Sequence, residues 1–272
     1  MKKVLCIFGT RPEAIKLAPI IFELNRNKNK FMTKICVTGQ HNEMISQVFK
    51  IFNFKKNYDL QVMKKNQKLE DLTAVLISKI SKVLDHFKPD IVIVHGDTTS
   101  TFAASLSAFY KKIRVCHIEA GLRTNNLYSP YPEEMYRKFT AMISHLHFAP
   151  TKNEKNNLIK EGVSKNNIYI TGNTVVDSLK IIISKLNNDK KLIKQLNKKF
   201  SFIDKNKKLI LITFHRRENF GSGLKNLITF LIKSIKNRND IQFVYPVHLN
   251  PNIYKPVIKS LSKINNIHIK NQ

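Results

Sequence analysis

No stretch of the 272-residue chain approaches the 18 or so consecutive apolar residues that a membrane helix requires, which excludes a helical membrane span. The apolar part of the opening MKKVLCIFG is too short for a secretory leader and lacks a small-residue cleavage site, so it reads as a first buried strand. Cysteine is scarce. Cys6, Cys36 and Cys116 share no Cys-x-x-Cys spacing and fall in apolar runs, which argues against a disulfide framework and predicts reduced core thiols in a cytoplasmic protein. His145-x-His147 is the closest approach to a metal-ligand spacing, and on a strand it reads more simply as two polar residues on one face; no metal is expected. There is no Gly-Lys-Ser/Thr ending and no Gly-x-Gly-x-x-Gly, which disfavours a P-loop and a nicotinamide dinucleotide site. No repeat of fixed period is present either.

Positive charge, by contrast, is abundant: the formal net charge is +28. A value this high raises the question of nucleic acid or an anionic membrane. The excess is nearly all lysine, scattered with Asn and Ile through every segment, with no single basic face and no interleaved aromatics. A/T-rich coding explains it more simply. Neither nucleic acid nor a membrane is therefore expected as partner, while a general attraction for phosphate-bearing ligands remains.

The hydrophobic pattern alternates short β-branched runs with amphipathic segments. Strands are predicted at Val4–Phe8, Lys34–Thr38, Tyr58–Met63, Ile91–Val94, Val115–Ile118, Leu146–Phe148 and Ile168–Ile170, with helices between them. This is an α/β pattern that implies a parallel sheet covered on both faces. Thr171-Gly172-Asn173-Thr174 reads as a hinge, giving domains 1–172 and 173–272. In the second, only Lys208–Thr213, Gln242–Val247 and Ile267–Ile269 are strand-like, so its sheet is expected to have an open edge and uncovered apolar faces.

Ligands of open parallel sheets bind at the carboxyl ends of the strands. Gly9-Thr10-Arg11-Pro12-Glu13 puts a glycine, an arginine and a helix N-terminus at one such end, where free N–H groups and the helix dipole favour an anion. Asp97, Glu119 and Glu133 follow at successive connections. They suit proton transfer; equally, Asp97 can cap a helix and Glu133 can face a helix dipole. Arg123 and Arg137 can hold substrate or partner these carboxylates. His215-Arg216-Arg217-Glu218 ends a strand of the second domain, where it suits a diphosphate or forms a solvated charge cluster. His248, between two prolines, is similarly placed.

Taken together, GTRPEAIK at 9–16, TGQH at 38–41, HGDTTST at 95–101, HIEAGLRT at 117–124, YSPYPEE at 128–134, ITGNTVVD at 170–177, HRREN at 215–219 and YPVHLNP at 245–251 resemble the non-hydrolysing UDP-N-acetylglucosamine 2-epimerases, in order and over the whole length. The resemblance implies a GT-B-like fold of two Rossmann-like parallel-sheet domains, the second incomplete. It implies interconversion of UDP-N-acetylglucosamine and UDP-N-acetylmannosamine by elimination and re-addition of UDP, without metal or nicotinamide. Asp97, Glu119, Glu133 and His215 match the family's catalytic residues, and Arg11, Lys16, Arg123, Arg137 and Arg216 match substrate contacts. Gln40, Gln47 and His248 match an allosteric site for a second nucleotide sugar. Intact members are usually homodimers.

Three departures are visible. The family continues beyond the point matched by Gln272, into a motif of the Asp-Ser-Gly-Gly type that holds the nucleotide, so the chain resembles a C-terminally truncated member. Tyr136 stands where Asn is usual and would crowd the site. Ala141 replaces a common Gly. Alternative readings are a non-catalytic UDP-sugar-binding module and a hydrolysing relative. A glycosyltransferase on the same fold is disfavoured by the HGD and HIEAGLRT blocks.

Overall fold

The computed structural model describes residues 1–39, 42–64, 66–214, 221–247 and 250–271, the side chains of 42–44, 237 and 271 aside. The chain divides into two compact units, Met1–Lys185 and Leu186–Gln272.

The first unit is built on seven parallel strands: β1 (Lys2–Phe8), β2 (Phe31–Val37), β3 (Tyr58–Asp59), β4 (Ile91–His95), β5 (Arg114–Ile118), β6 (Leu146–Ala149) and β7 (Ile168–Ile170). Their order is β3-β2-β1-β4-β5-β6-β7. Crossovers carry the chain outward from β1 in one direction and from β4 in the other. The topological switch therefore lies between β1 and β4, where a ligand crevice is expected.

Alternating side chains explain why β1 sits in the middle. Leu5 and Ile7 enter a core with α3 (Leu69–Phe87) and α4 (Thr99–Tyr110), whereas Val4, Cys6 and Phe8 enter an opposite core with α1 (Arg11–Arg26) and α2 (Asn42–Phe52). Both faces are covered, and each fully buried Leu or Ile contributes about 2 kcal/mol. The three cysteines lie in this sheet as buried free thiols, and burial pushes them up to about 12, 12 and 11 for Cys6, Cys36 and Cys116.

Four helices complete the structure around the sheet's second half and the link onward. α5 (Glu133–Ile143) packs on α4, and α6 (Lys152–Lys160) lies between β6 and β7. α7 (Val175–Asn188) begins just after the expected hinge, yet most of it belongs to the first unit. Ser178 donates to the Ile15 carbonyl at 2.5 Å, and Ile181 and Ile182 pack on the α1 core. The division at Lys185 lies within this helix, beyond Gly172, because those contacts anchor it. α8 (Lys190–Lys199) follows.

The expected third strand is shorter than its sequence pattern. Only Tyr58 and Asp59 pair with β2, and Gln61, at φ +48°, turns the chain out of register. Thr98 caps α4 by accepting from the Thr101 N–H at 3.1 Å, and Thr151 caps α6 in the same way from Asn153.

In the second unit β8 (Lys208–Leu211), β9 (Ile241–Val247) and β10 (Ile267–Asn271) form a parallel sheet of order β10-β9-β8, with α9 (Ser222–Asn237) and α10 (Pro251–Leu261). β9 is buried along most of its length. β8 is an edge exposed throughout, with Leu209, Ile210 and Leu211 in sequence at the surface.

Candidate active site

At the carboxyl end of the first sheet, two carboxylates from neighbouring connections are each held by a cation. Glu119 follows β5 directly and has φ +61°, a left-handed conformation uncommon for a residue with a side chain and a frequent mark of functional strain. Its side chain is only 11% exposed. Lys16 Nζ, from the middle of α1, reaches Oε1 at 2.6 Å and Oε2 at 2.8 Å. Asn173 Nδ2 donates to Oε1 at 2.5 Å. His95 Nε2, at the end of β4, stands 3.4 Å from Oε2.

Gly96 (φ +67°) makes the turn between His95 and Asp97, and a Cβ there would lie 3.9 Å from Glu119 Oε2. Asp97 is thus one residue from the Glu119 carboxylate's contact point. Arg137 of α5 directs Nε at 2.8 Å and a terminal nitrogen at 2.6 Å onto Asp97 Oδ2. Its other terminal nitrogen donates to Glu134 Oε2 at 3.1 Å. Glu134 is fully buried, and its Oε1 accepts from the N–H groups of Thr124 and Asn125 at 3.0 Å each. Burial opposes its charge, but those backbone donors and Arg137 outweigh burial and hold the carboxyl below its usual range. Glu133, one residue earlier, has a solvent-shielded Oε2 with no hydrogen-bond partner among the described residues.

Three histidines underlie this end of the sheet. Burial, with Lys16 nearby, lowers His95 to about 3; burial likewise lowers His117 to about 3 and His147 to about 4. His117 and His147 are paired neighbours on β5 and β6, and the His117 ring contacts the Gly96 carbonyl at 2.8 Å. Neutral imidazoles beneath the site keep its fixed charges to the lysine, the arginine and the carboxylates.

The turn after β1 departs from expectation. The N–H groups of Gly9 and Thr10 donate to Glu13 Oε2 at 3.0 and 2.7 Å, so the helix's own carboxylate fills the place assigned to an external anion. Glu13 Oε1 also accepts from Thr98 and Thr101 at 2.8 and 3.1 Å, tying α1 to α4. Burial pushes its carboxyl up, against all of these donors. Arg11 begins α1 half-exposed, with no ion pair among the described residues. Arg123 is turned to a different use: its guanidinium is buried and forks onto Glu161 at 2.8 and 2.6 Å. Tyr136 does not crowd the site, because its ring is buried and stacked on Phe102 of α4 with centroids 5.2 Å apart. Gln47 is exposed on α2. Gln40, His215, Arg216 and His248 lie outside the described residues.

The structure thus joins Lys16 to Glu119 and Arg137 to Asp97 among the expected residues. It adds Glu134 and Asn173. A signal for Glu134 was present, since it precedes Arg137 by three positions, the spacing of facing side chains on a helix.

The family model for UDP-N-acetylglucosamine 2-epimerase matches residues 23–272. The chain belongs to the UDP-N-acetylglucosamine 2-epimerase family. It is 52% identical over 267 residues to the enzyme of that name from Neisseria meningitidis, covering 98% of this chain and 71% of that protein. It is 47% identical to the Escherichia coli K12 enzyme, covering 97% and 70%. A crystal structure of the Neisseria meningitidis epimerase bound to UDP-GlcNAc superposes with a TM-score of 0.91 at 51% identity, over 99% of this chain and 72% of that one. A Methanocaldococcus jannaschii epimerase in complex with UDP-GlcNAc and UDP gives 0.80 at 32% identity, over 99% and 73%. The epimerase fold is therefore shared over the whole chain.

Proposed function

We propose that the chain carries the C2 epimerisation chemistry of its family, interconverting UDP-N-acetylglucosamine and UDP-N-acetylmannosamine. The observation that carries this reading is the pair of cation-held carboxylates, Glu119 with Lys16 and Asp97 with Arg137, at adjacent strand ends beside the topological switch. Inverting C2 requires a proton to leave one face and return on the other, hence more than one acid–base group. A carboxylate takes the C2 proton, the C–H electron pair becomes the C1–C2 double bond, and the C1–O bond breaks with its electrons leaving on UDP. Return of a proton to the opposite face of C2, with re-addition of UDP at C1, gives the epimer. Asp97, Glu119 and Glu133 are the groups assigned to the proton. Lys16 and Arg137 hold two of them; by resemblance His215 is assigned to the departing UDP and Arg11 and Arg216 to the sugar nucleotide, whereas Arg123 is committed to Glu161. Gln40, Gln47 and His248 are assigned to a second, regulatory nucleotide sugar on the same ground.

Incubation with UDP-N-acetylglucosamine in D2O tests this directly. Deuterium at C2 together with UDP-N-acetylmannosamine is the expected outcome. Free N-acetylmannosamine would mark a hydrolysing relative instead. Calorimetric binding without deuterium incorporation would mark a binding-only module.

A homodimer is part of the same reading. Phe109 and Tyr110 at the end of α4 and Phe139 and Met142 on the adjoining α5 expose apolar surface, with Met142 78% exposed. Sedimentation velocity reads the stoichiometry. The buried free thiols fit a reducing, cytoplasmic setting.

A further inference from the structure

Asn173 stands between the Gly172 turn (φ +78°) and α7, and uses both ends of its amide. Oδ1 accepts from the Val175 N–H at 3.0 Å, satisfying the first free donor of α7. Nδ2 donates to Glu119 Oε1. A residue at the start of the seventh helix thus touches the carboxylate at the end of the fifth strand.

Glu119 needs such a contact. Its backbone is in the left-handed region, and its side chain has rotamer freedom, so its partners decide where the carboxylate points. Those partners are Lys16 from α1, His95 from β4 and Asn173. An ammonium on a four-carbon stem is a point charge that follows a carboxylate through many orientations. The His95 ring, at 3.4 Å, makes no hydrogen bond among the described residues. The planar amide is the directional member of the set. We propose that Asn173 is a positioning residue for Glu119, orienting its carboxylate and coupling it to the start of α7. The catalytic consequence rests on the epimerase reading; the contact itself does not.

The substitution Asn173→Asp separates positioning from helix capping. Aspartate caps as well as asparagine and has the same size, so the start of α7 is retained. An amide NH2 only donates, whereas a second carboxylate can meet Glu119 only while the two share a proton. The other groups facing the pair are Lys16 and His95, and burial keeps the His95 ring neutral, lowered to about 3. Asn173→Ser is the companion variant, because its hydroxyl can still cap α7 but is too short to reach Glu119.

Thermal melting of the whole chain is compared at pH 5.5 and 8.5. Asn173→Asp is expected to melt within about 1 °C of wild type at the lower pH and roughly 5 °C below it at the higher, while Asn173→Ser shows one offset at both. Deuterium incorporation at C2 is then followed against pH. Asn173→Asp should move the acid limb up by about one pH unit or more, and Asn173→Ser should lower kcat roughly tenfold at every pH with KM within about twofold. An Asn173→Asp protein that tracks wild type in melting at both pH values overturns the proposal, as does an unmoved pH–rate profile in an active chain. A wild-type chain that incorporates no deuterium sinks the epimerase reading for this polypeptide alone, and the melting comparison still decides whether Asn173 holds Glu119.

Discussion

Lys16 and Arg137 hold their carboxylates by different means. Lys16 contributes charge to Glu119, spread over both oxygens. Arg137 contributes a rigid fork: two donors converge on one oxygen of Asp97 and a third meets the buried Glu134. Replacing Glu119 with Gln removes the basic carboxylate at nearly unchanged shape, and C2 deuterium incorporation is expected to fall by roughly 10²–10⁴. Replacing Arg137 with Lys keeps the charge and loses the fork. Because Glu134 then lacks one partner in a buried place, urea denaturation should show a loss of about 1–3 kcal/mol alongside slower turnover. An Arg137→Lys protein as stable as wild type would contradict the shared-fork account. At this scale the sequence made the strand-end carboxylates legible, since polar residues after a buried β-branched run have few other purposes. It did not distinguish Glu133 from Glu134, because one residue on a helix is a turn of about 100° and only the position of α4 and the loop decides which of the two is enclosed. Glu13 had a signal, Thr10-x-x-Glu13, which has the form of a capping box. Its further bonds to Thr98 and Thr101 depend on the sheet bringing α1 and α4 together.

Among the elements, the connection from β5 to α5 is the most constrained. Gly121 has φ +92°, and a Cβ there would lie 2.3 Å from the Glu154 carbonyl oxygen of α6, a backbone atom that cannot swing aside. Gly121→Ala is expected to cost about 3 kcal/mol or more, read as a lower urea midpoint, since it adds both a clash and an unfavourable backbone conformation. The same connection carries Glu119, Thr124 and Asn125, so activity should fall with stability. A Gly121→Ala protein of wild-type midpoint would show that α6 can withdraw. The fold's elements were readable where burial on both faces left unbroken apolar runs, as in β1 and β4. β3 was misjudged because its alternating pattern continues past Asp59 while the left-handed backbone at Gln61 breaks the register, leaving only the Leu60 and Val62 N–H groups on the Val37 and Thr38 carbonyls, and nothing in residue type announces that turn.

Across the molecule, acid sensitivity follows from the buried histidines. His95 and His117 are lowered to about 3 and His147 to about 4, against about 6.5 in an unfolded chain. The unfolded state binds protons first, so their stabilisation is complete above about pH 6.5 and declines as pH falls toward the folded-state values. By pH 5 each forfeits about 2 kcal/mol. Glu13, raised by burial, acts in the opposite sense, its contribution being lost as pH rises above the ordinary carboxylate range, and it is one group against three imidazoles. Chemical denaturation should therefore show a marked loss between pH 7 and 5, and a flat profile would mean the imidazoles are hydrated. The smaller sheet is open along β8 among the described residues. Three consecutive aliphatic residues beside main-chain amides with no strand partner among the described residues offer a template on which another strand can lay itself down. Concentrated solutions are therefore expected to grow turbid or form higher oligomers on scattering measurements, and Ile210→Lys should clear them by setting a charge in the seam.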